Sequence, residues 1–389
     1  GHMAKNRATK QQWIDETNGQ VKDTGILLVA HYKGLTVAEI TDLRVKVRAS
    51  GASFKVTKNL LVKRAIVGTS YEKISHLFKG PTAVAYAADP VSAAKALSEF
   101  AKKNEKLVLV GGAFTTFDGA GAVRIARLNS VGGASGAFSS GAGFNGTVNA
   151  ILPVTDGTGD YYVGGAFTQY DGNPCNGIAR ISPTGTFITS FAMGTGFDTT
   201  VYSLAEASDT SGDIFAGGTF TTYDGVSAPG LVRLRATGSA DVSLAIGAGF
   251  NAKTASIAVG SDGSLYVGGS FVSFNTSGVN YLAKLNSTGT LQTYNSGTGF
   301  NGAVNAISPT ADSTGDIYVG GAFTYYRGTA VARLAKLTLS GAQRSTFSIG
   351  TGFDGDVLAI AAAPDTSGDI FVGGSFTHYD GVAVGRIVR

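Results

Sequence analysis

Short apolar runs and helically spaced apolar residues alternate over the first hundred residues. The run ILLVAHY, residues 26–32, has the length and composition of a buried strand. Thr36 and Glu39 then form the capping-box pattern of a helix start, and apolar residues follow at helical spacing until Gly51. This stretch predicts a strand followed by a helix.

The same alternation continues to about residue 110. SFKVT predicts a second strand, and KNLLVKRAIVG predicts a short helix that ends at Gly68. PTAVAYA predicts a third strand, a helix runs from Pro90 to Lys103, and KLVLV predicts a fourth strand. Strands that alternate with helices predict a small α/β domain in which helices cover a sheet.

The remaining sequence repeats itself. The motif Gly-Gly-x-Phe begins at six positions that are 51 to 53 residues apart: Gly111, Gly164, Gly217, Gly268, Gly320 and Gly373. A basic residue lies 16 positions after the first glycine of each motif: Arg127, Arg180, Arg233, Lys284, Lys336 and Arg389. A fixed period of this length indicates repeated structural units.

Each repeat contains four short segments with strand character, which we call A to D. In one copy they are VNAIL, GDYYVGGAFT, GIARIS and TFITSFAMGTGF, separated by residues that favour turns. Four-stranded units of this size predict the blades of a β-propeller. The paired glycines let neighbouring strands approach closely. The phenylalanines of the motif are predicted to fill the space between blades: Phe167, Phe220, Phe271, Phe323 and Phe376.

The overall prediction is a multidomain chain, in which a small α/β domain precedes an all-β propeller. Residues 1–3 resemble an expression-tag remnant, residues 4–113 form the first domain, 114–133 a junction, and 134–389 the propeller. Residues 108–112 fit both the last strand of the first domain and a B strand, and we expect the first domain to use them. Five blades are then favoured, closed by strands from both ends, and six blades are the alternative.

Composition narrows the classes of function. The single cysteine, Cys175, excludes an intrachain disulfide framework and a multi-cysteine zinc site. No apolar run approaches 18 residues, so no membrane-spanning helix is expected, and the start of the sequence lacks the apolar segment of a signal peptide. We find no catalytic constellation and expect no enzyme, no metal and no cofactor. The Asp-rich A–B turns could bind calcium, but turn formation is the favoured interpretation.

Two features of the repeats leave alternatives open. The regularly spaced basic residues could line an anion- or sugar-binding surface, or they could form salt bridges between blades. A second aromatic follows each Gly-Gly-x-Phe motif and could stack on sugars, although packing is favoured: Tyr170, Tyr223, Phe274, Tyr326 and Tyr379.

The two parts of the chain differ in net charge. Residues 1–110 hold 18 lysines and arginines against nine acidic residues, whereas residues 111–389 hold 13 against 18. An excess of cations confined to the first part suggests an anionic partner for that part alone. Eight of these cations fall between Lys33 and Arg64, where they could neutralise the phosphates of a folded nucleic acid.

Residues 6–113 resemble the N-terminal domain of the bacterial ribosomal protein that anchors the stalk of the large subunit, the L-ten family. The motifs that carry the resemblance are Tyr-Lys-Gly-Leu-Thr-Val, Lys-Val-Thr-Lys-Asn and Lys-Gly-Pro-Thr, in that order. The resemblance implies binding to rRNA at the stalk base, with no DNA partner, and a cytoplasmic location. It implies these RNA contacts: Tyr32, Lys33, Gly34, Lys55, Lys58, Asn59, Lys63 and Lys79.

Two departures from the family pattern change what is expected. Leu60 stands where the family usually has a polar or basic residue, which removes one RNA contact. Nothing after residue 113 resembles the family's long C-terminal helix, so recruitment of the stalk dimers is expected to be lost. The repeats instead resemble the Delta-sixty β-propeller repeats, which implies a fold and an unknown protein or glycan partner. In an alternative, the propeller binds carbohydrates or surfaces, and the first domain is a passenger of recombination, sequence-assembly error or engineering.

Overall fold

The chain divides into two units in a computed structural model. The first comprises Gly1–Val108 and Leu128–Gly133, and the second comprises Leu109–Arg127 and Ala134–Arg389. The structure describes residues 7–22, 26–31, 53–56, 59–69, 72, 82–87, 108–117, 120–129, 133–294, 297–312, 314–363 and 368–389. The two units are described separately below.

The first unit contains a three-stranded antiparallel sheet. Its strands are β1 (Ile26–His31), β2 (Ser53–Val56) and β3 (Thr82–Ala87), with β3 between the other two. Val84 of β3 pairs with Val29 on one side and with Lys55 on the other. The three strands predicted from the apolar runs are therefore confirmed.

Two helices of this unit lie within the described residues: α1 (Arg7–Lys22) and α2 (Asn59–Ala65). The sequence predicted α2 and missed α1, because RATKQQWIDETNGQVK has too few apolar residues to form a stripe. Asn18 of α1 donates from Nδ2 to the carbonyl oxygen of Ala65 at 2.6 Å, which ties the two helices together. The predicted helices after Thr36 and after Pro90 lie outside the described residues.

The second unit is built of repeated antiparallel sheets. The first repeat contains β4 (Val108–Gly111), β5 (Thr116–Phe117), β6 (Ala120–Gly121) and β7 (Ile125–Leu128). The A strands of the next five repeats are β8 (Val148–Pro153), β13 (Val201–Glu206), β18 (Thr254–Val259), β23 (Val304–Pro309) and β28 (Val357–Ala362). The B strands are β9 (Tyr161–Gly165), β14 (Ile214–Gly218), β19 (Leu265–Gly269), β24 (Ile317–Gly321) and β29 (Ile370–Gly374).

A short hairpin precedes each C strand. The hairpins are β10–β11 (Gln169–Tyr170, Asn173–Pro174), β15–β16 (Thr222–Tyr223, Val226–Ser227), β20–β21 (Ser273–Phe274, Ser277–Gly278), β25–β26 (Tyr325–Tyr326, Thr329–Ala330) and β30–β31 (His378–Tyr379, Val382–Ala383). The C strands are β12 (Ile178–Ile181), β17 (Leu231–Leu234), β22 (Leu282–Leu285), β27 (Leu334–Leu337) and β32 (Ile387–Val388).

The B strand lies in the centre of each three-stranded sheet. Val163 of β9, for example, pairs with Ile151 of β8 and with Ala179 of β12. The predicted D strand is reduced to an isolated bridge, such as that between Ile181 and Phe187. Consecutive A strands contact one another from β8 to β28, as expected for propeller-type repeats.

The structure corrects the expected use of residues 108–112. Within the described residues, the sheet of the first unit contains β1, β3 and β2, whereas β4 pairs with β7. Gly111 also packs against Val148 and Ile151 of the following A strand, as the equivalent glycines of the next four repeats pack against theirs. Because it has no side chain, Gly111 lets the following A strand approach closely. This is the role of the motif glycine in the repeats, and the sheet of the first unit gives it no such role. The five-blade prediction did not count the β4–β7 pair as part of a blade. The observed pairing therefore favours the six-blade alternative. The number of blades in a closed ring stays a prediction.

Candidate functional sites

Three of the eight predicted RNA contacts fall within the described residues. Lys55 lies in β2, Asn59 begins α2, and Lys63 lies in the last turn of α2. The other five lie outside the described residues: Tyr32, Lys33, Gly34, Lys58 and Lys79.

Helix α2 has one buried face and one face toward solvent. Val62 and Ala65 are buried, and so is Ile66 directly after the helix. Lys63 is half-buried, and Arg64 is exposed. Leu60 is 63% exposed, so the apolar residue that departs from the family pattern lies on the surface. The helix therefore has Arg64, part of Lys63 and the apolar Leu60 on its solvent face.

Five of the six regularly spaced basic residues form ion pairs with carboxylates of their own sheet. Arg233 donates from Nε to Asp213 at 2.9 Å and from Nη2 to Asp209 at 2.6 Å, and only 10% of its side chain is exposed. The other repeats have equivalent pairs: Arg180 with Asp156 and Asp160, Lys284 with Asp262, Lys336 with Asp312 and Asp316, and Arg389 with Asp369. The carboxylates of these pairs come from the A–B turn of the same repeat, so these ion pairs lie within one blade. Arg127 donates from Nη1 to the carbonyl oxygen of Pro183 in the following repeat.

The same ion pairs support the interpretation of the Asp-rich turns as structural. Asp209 accepts hydrogen bonds from the backbone and hydroxyl of Ser211, which with Arg233 lower its pKa to about 2. Asp156 accepts from both groups of Thr158, and its pKa is likewise lowered to about 2. The carboxylates thus have donors from the turn and the arginine. Among the described residues, no group of three potential metal ligands comes together.

The second aromatics of the repeats are packing residues. Tyr170, Tyr223, Phe274 and Tyr326 are at most 1% exposed. Phe144 stacks against Phe167 and Tyr170 with centroids 4.3 and 4.4 Å apart, and four further repeats contain the same three-ring group. Tyr170 donates to the carbonyl oxygen of Gly185 at 2.6 Å, and burial raises its pKa. The favoured interpretation as packing residues is confirmed for these four, which are too buried to stack on a sugar.

His378 has a partner that the sequence did not identify. Its Nδ1 lies 2.9 Å from Oδ2 of Asp354, and its backbone N–H donates to the same carboxylate. In another repeat, Asn145 accepts the equivalent backbone bond from Gln169. Asp354 therefore stabilises the turn of its repeat by the same backbone hydrogen bond that Asn145 accepts in the other repeat. The sequence feature that could have identified this contact is the Asp or Asn at the end of each D segment. It becomes visible when the repeats are aligned with one another.

A small α/β unit and a row of propeller-type sheets define a two-part repeat protein. Residues 5–102 match the family model for ribosomal protein L10. Six segments match a domain of unknown function that forms a β-propeller, DUF5122: residues 106–133, 157–191, 211–244, 260–293, 313–347 and 366–389.

Curated relatives match the first part of the chain. Large ribosomal subunit protein uL10 of Paramagnetospirillum magneticum is 55% identical over 106 residues, which are 27% of this chain and 62% of the relative. The uL10 proteins of Parvibaculum lavamentivorans and Brucella abortus are 48% and 50% identical over 127 residues, which are 32% of this chain and 74% of each relative. Through its N-terminal part, the chain belongs to the ribosomal protein L10 family, and it continues as a DUF5122 β-propeller region.

Solved structures resemble the chain only distantly. The extracellular domain of the hybrid two component system BT4673 from B. thetaiotaomicron is 16% identical, with a TM-score of 0.39, over 72% of this chain and 33% of that one. A virginiamycin B lyase from Staphylococcus aureus is 14% identical, with a TM-score of 0.37, over 69% and 82%. We infer nothing from similarities at this level.

Proposed function

We propose that the chain is a non-enzymatic binding protein, in which an rRNA-binding ribosomal-type domain is joined to a β-propeller that serves as an interaction platform. The observation that carries the proposal is the 48–55% identity to uL10 proteins. The proposed RNA is the stalk base of the large subunit, and the proposed location is the cytoplasm. The residues after 113 form repeats in place of the stalk-recruiting helix, so stalk dimers are not expected to bind.

Charge supports an RNA partner for the first part of the chain. The excess of cations lies in residues 1–110, and Lys63 and Arg64 lie in the last turn of α2. Such cations bind phosphates and release counterions, so affinity falls as salt rises. The exposed Leu60 is expected to remove one polar RNA contact.

Filter binding of the full chain to the stalk-base rRNA fragment tests this proposal. Replacing Lys58 and Lys63 together by Ala should weaken binding and reduce the slope of log affinity against log salt by roughly 1.5, at about 0.7–0.9 for each lost phosphate contact. As a control, Lys253→Ala with Arg235→Ala removes the same charge from the repeats and should leave binding unchanged. Equal affinity for an unrelated RNA hairpin would refute the proposal.

The propeller is proposed to bind an unknown protein or a glycan. The alternative, a carbohydrate- or surface-binding propeller with a passenger first domain, has less support because four of the aromatic side chains that could stack on sugars are buried. A glycan array probed with the full chain tests it, and selective glycan binding by a chain that shows no preference for the stalk-base rRNA would favour the alternative. Among the described residues, no helix is long and apolar enough to cross a membrane.

A further inference from the structure

The fourth repeat, which contains β18 to β22, has a D segment that is one residue shorter than those of its neighbours. In the second to fifth repeats, an isolated bridge marks each end of this segment. The two bridged residues are ten positions apart in three of these repeats: Phe187 and Phe197, Ala240 and Phe250, Gln343 and Phe353. In the fourth repeat, Leu291 and Phe300 are nine positions apart. One residue is therefore missing between equivalent points of the fold.

The shorter segment lacks a turn that its neighbours form. In the other three repeats, a backbone N–H donates to the carbonyl oxygen three residues earlier: Phe191 to Ile188, Leu244 to Asp241 and Phe347 to Arg344. In the fourth repeat, Gln292 and Thr293 lie in no hydrogen-bonded turn before Tyr294. The deletion thus removes backbone that fills space beside the C strand in the other repeats.

A cavity of about 220 Å³ lies beside this shortened segment. Among the described residues, both apolar and polar ones line it: Val279, Leu282, Leu291, Tyr294, Lys284 and Gln292. A cavity of roughly 150 Å³ can hold a benzene molecule. This cavity consequently has room for a small ligand with an apolar body and a polar group.

Lys284 supplies a buried cation with fewer acidic partners than its counterparts. It is 8% exposed, and among the described residues it pairs with one carboxylate, Asp262, at 3.2 Å. Arg233 of the third repeat pairs with two carboxylates of its A–B turn. The second of these is Asp213, directly before β14, and Ser264 stands at this position before β19. Lys284 and Asp262 together are neutral, so an anion is repelled less here than beside an arginine with two carboxylates.

Two tyrosine rings surround the ammonium group of Lys284. Its Nζ lies 5.1 Å from the ring centroid of Tyr266 and 5.6 Å from that of Tyr294. Tyr294 is fixed by the hydrogen bond that its hydroxyl donates to the carbonyl oxygen of Thr338 at 3.0 Å. Tyr266 is fully buried, and among the described residues its hydroxyl has no hydrogen-bond partner. Burial raises the pKa of Tyr266, so this hydroxyl stays protonated and can donate to a ligand oxygen.

We propose that the cavity of the fourth repeat binds a small organic carboxylate with an apolar or aromatic body. The carboxylate accepts hydrogen bonds from the Tyr266 hydroxyl and from the Lys284 ammonium, which has donors beyond the one that Asp262 accepts. The apolar body lies against Leu282 and Leu291. A sugar would place hydroxyl groups against these apolar side chains, which is unfavourable. The site is independent of the proposed RNA contacts, which lie in the first unit.

Saturation-transfer NMR of the full chain with sodium benzoate tests the proposal. Benzoate should bind saturably, with a dissociation constant on the order of 1 mM. Benzyl alcohol, which has the same ring without the charge, should bind at least tenfold more weakly. Ser264→Asp restores the second carboxylate of the other repeats and should weaken benzoate binding at least tenfold. As a control, Ser227→Asp adds the same charge at an exposed position of β16 and should leave binding unchanged.

A second variant tests the cavity itself. One alanine inserted between Gln292 and Thr293 restores the spacing of the other repeats and should abolish benzoate binding. If circular dichroism shows that this variant does not fold, Lys284→Met with Asp262→Asn takes its place. It removes both charges of the pair and should abolish the preference for benzoate over benzyl alcohol. No saturable binding of benzoate, equal binding of the two ligands by the unchanged chain, or unchanged benzoate binding by Ser264→Asp would overturn the proposal.

Discussion

Gly217 and Thr254 fit together so closely that any side chain at Gly217 would displace the threonine. A Cβ on Gly217 would lie 2.6 Å from Thr254 Cγ2, a distance at which carbon atoms repel strongly. Thr254 is fully buried, so it has no free space into which to move. The contact between consecutive repeats therefore depends on the absence of one side chain.

Gly217→Val should accordingly destabilise the protein. Overpacking of a tight interface typically costs 1–3 kcal/mol, and we expect about 3 kcal/mol here because the neighbouring strand must shift. Urea unfolding followed by fluorescence measures the change. The matched control is Gly373→Val. Among the described residues, the nearest atoms to an added Cβ at Gly373 are Ala359 Cβ and Arg386 O, both at 3.9 Å, so this variant should change stability by less than about 0.5 kcal/mol. Equal losses in the two variants would contradict this account.

Arg233→Met should also be strongly destabilising. Its side chain is 10% exposed and neutralises Asp213, whose side chain is 11% exposed. Removal of one partner of a buried pair leaves an uncompensated charge and typically costs about 3–5 kcal/mol. Asp213→Asn in the Arg233→Met background should recover part of the loss, because it removes the charge that was left unpaired.

The control for this prediction is a neighbouring arginine with a weaker contact. Arg235 is 56% exposed and lies 3.6 Å from Asp241, so Arg235→Met should cost less than about 1 kcal/mol. A thermal unfolding series over these three variants and the unchanged chain measures these differences. If Arg233→Met and Arg235→Met lower the stability of the protein by similar amounts, the burial of the arginine side chain does not determine how much its removal destabilises the fold.

The repeated part of the fold could be predicted from the sequence because the same pattern of residues occurs in every repeat. The six glycine motifs located the B strands, and the strand residues around them predicted A and C. The D segment was predicted as a strand and forms only isolated bridges, because turns at Thr189–Ser190 and Gly194–Thr195 interrupt it. Helix α1 was missed because its few apolar residues are spread among polar ones.

The partners in the candidate sites were harder to predict. The spacing located Arg233, but the choice between contacts within and between blades depends on where the A–B turn places Asp209 and Asp213. The junction strand β4 satisfied both the α/β and the repeat pattern, and only its pairing with β7 distinguished them. Local pattern therefore identified elements, while tertiary contacts determined their partners.

Cys175 should be unreactive in the folded protein. It is the single cysteine of the chain, it is 1% exposed, and burial raises its pKa to about 12. Thiols react as thiolates, so a buried thiol with a raised pKa reacts slowly. Ellman's reagent at pH 8 should detect less than a tenth of one thiol per chain without denaturant and one thiol in urea. Rapid reaction of the folded chain would contradict the burial of this side chain.

Stability should fall in acid as the turn carboxylates become protonated. Asp156 and Asp209 have pKa values of about 2 in the folded chain against an ordinary value of 3.8. A lowered folded-state pKa contributes stability that is present above pH 3.8 and is lost as pH falls toward 2. Both side chains are substantially exposed, at 41% and 50%, so solvent weakens the effect of each. Urea unfolding between pH 2 and pH 6 should therefore show a decline that Asp156→Asn with Asp209→Asn makes shallower. Asp15→Asn on the exposed surface of α1 should leave the decline unchanged, and an identical pH profile for the double variant would rule out these turns as its source.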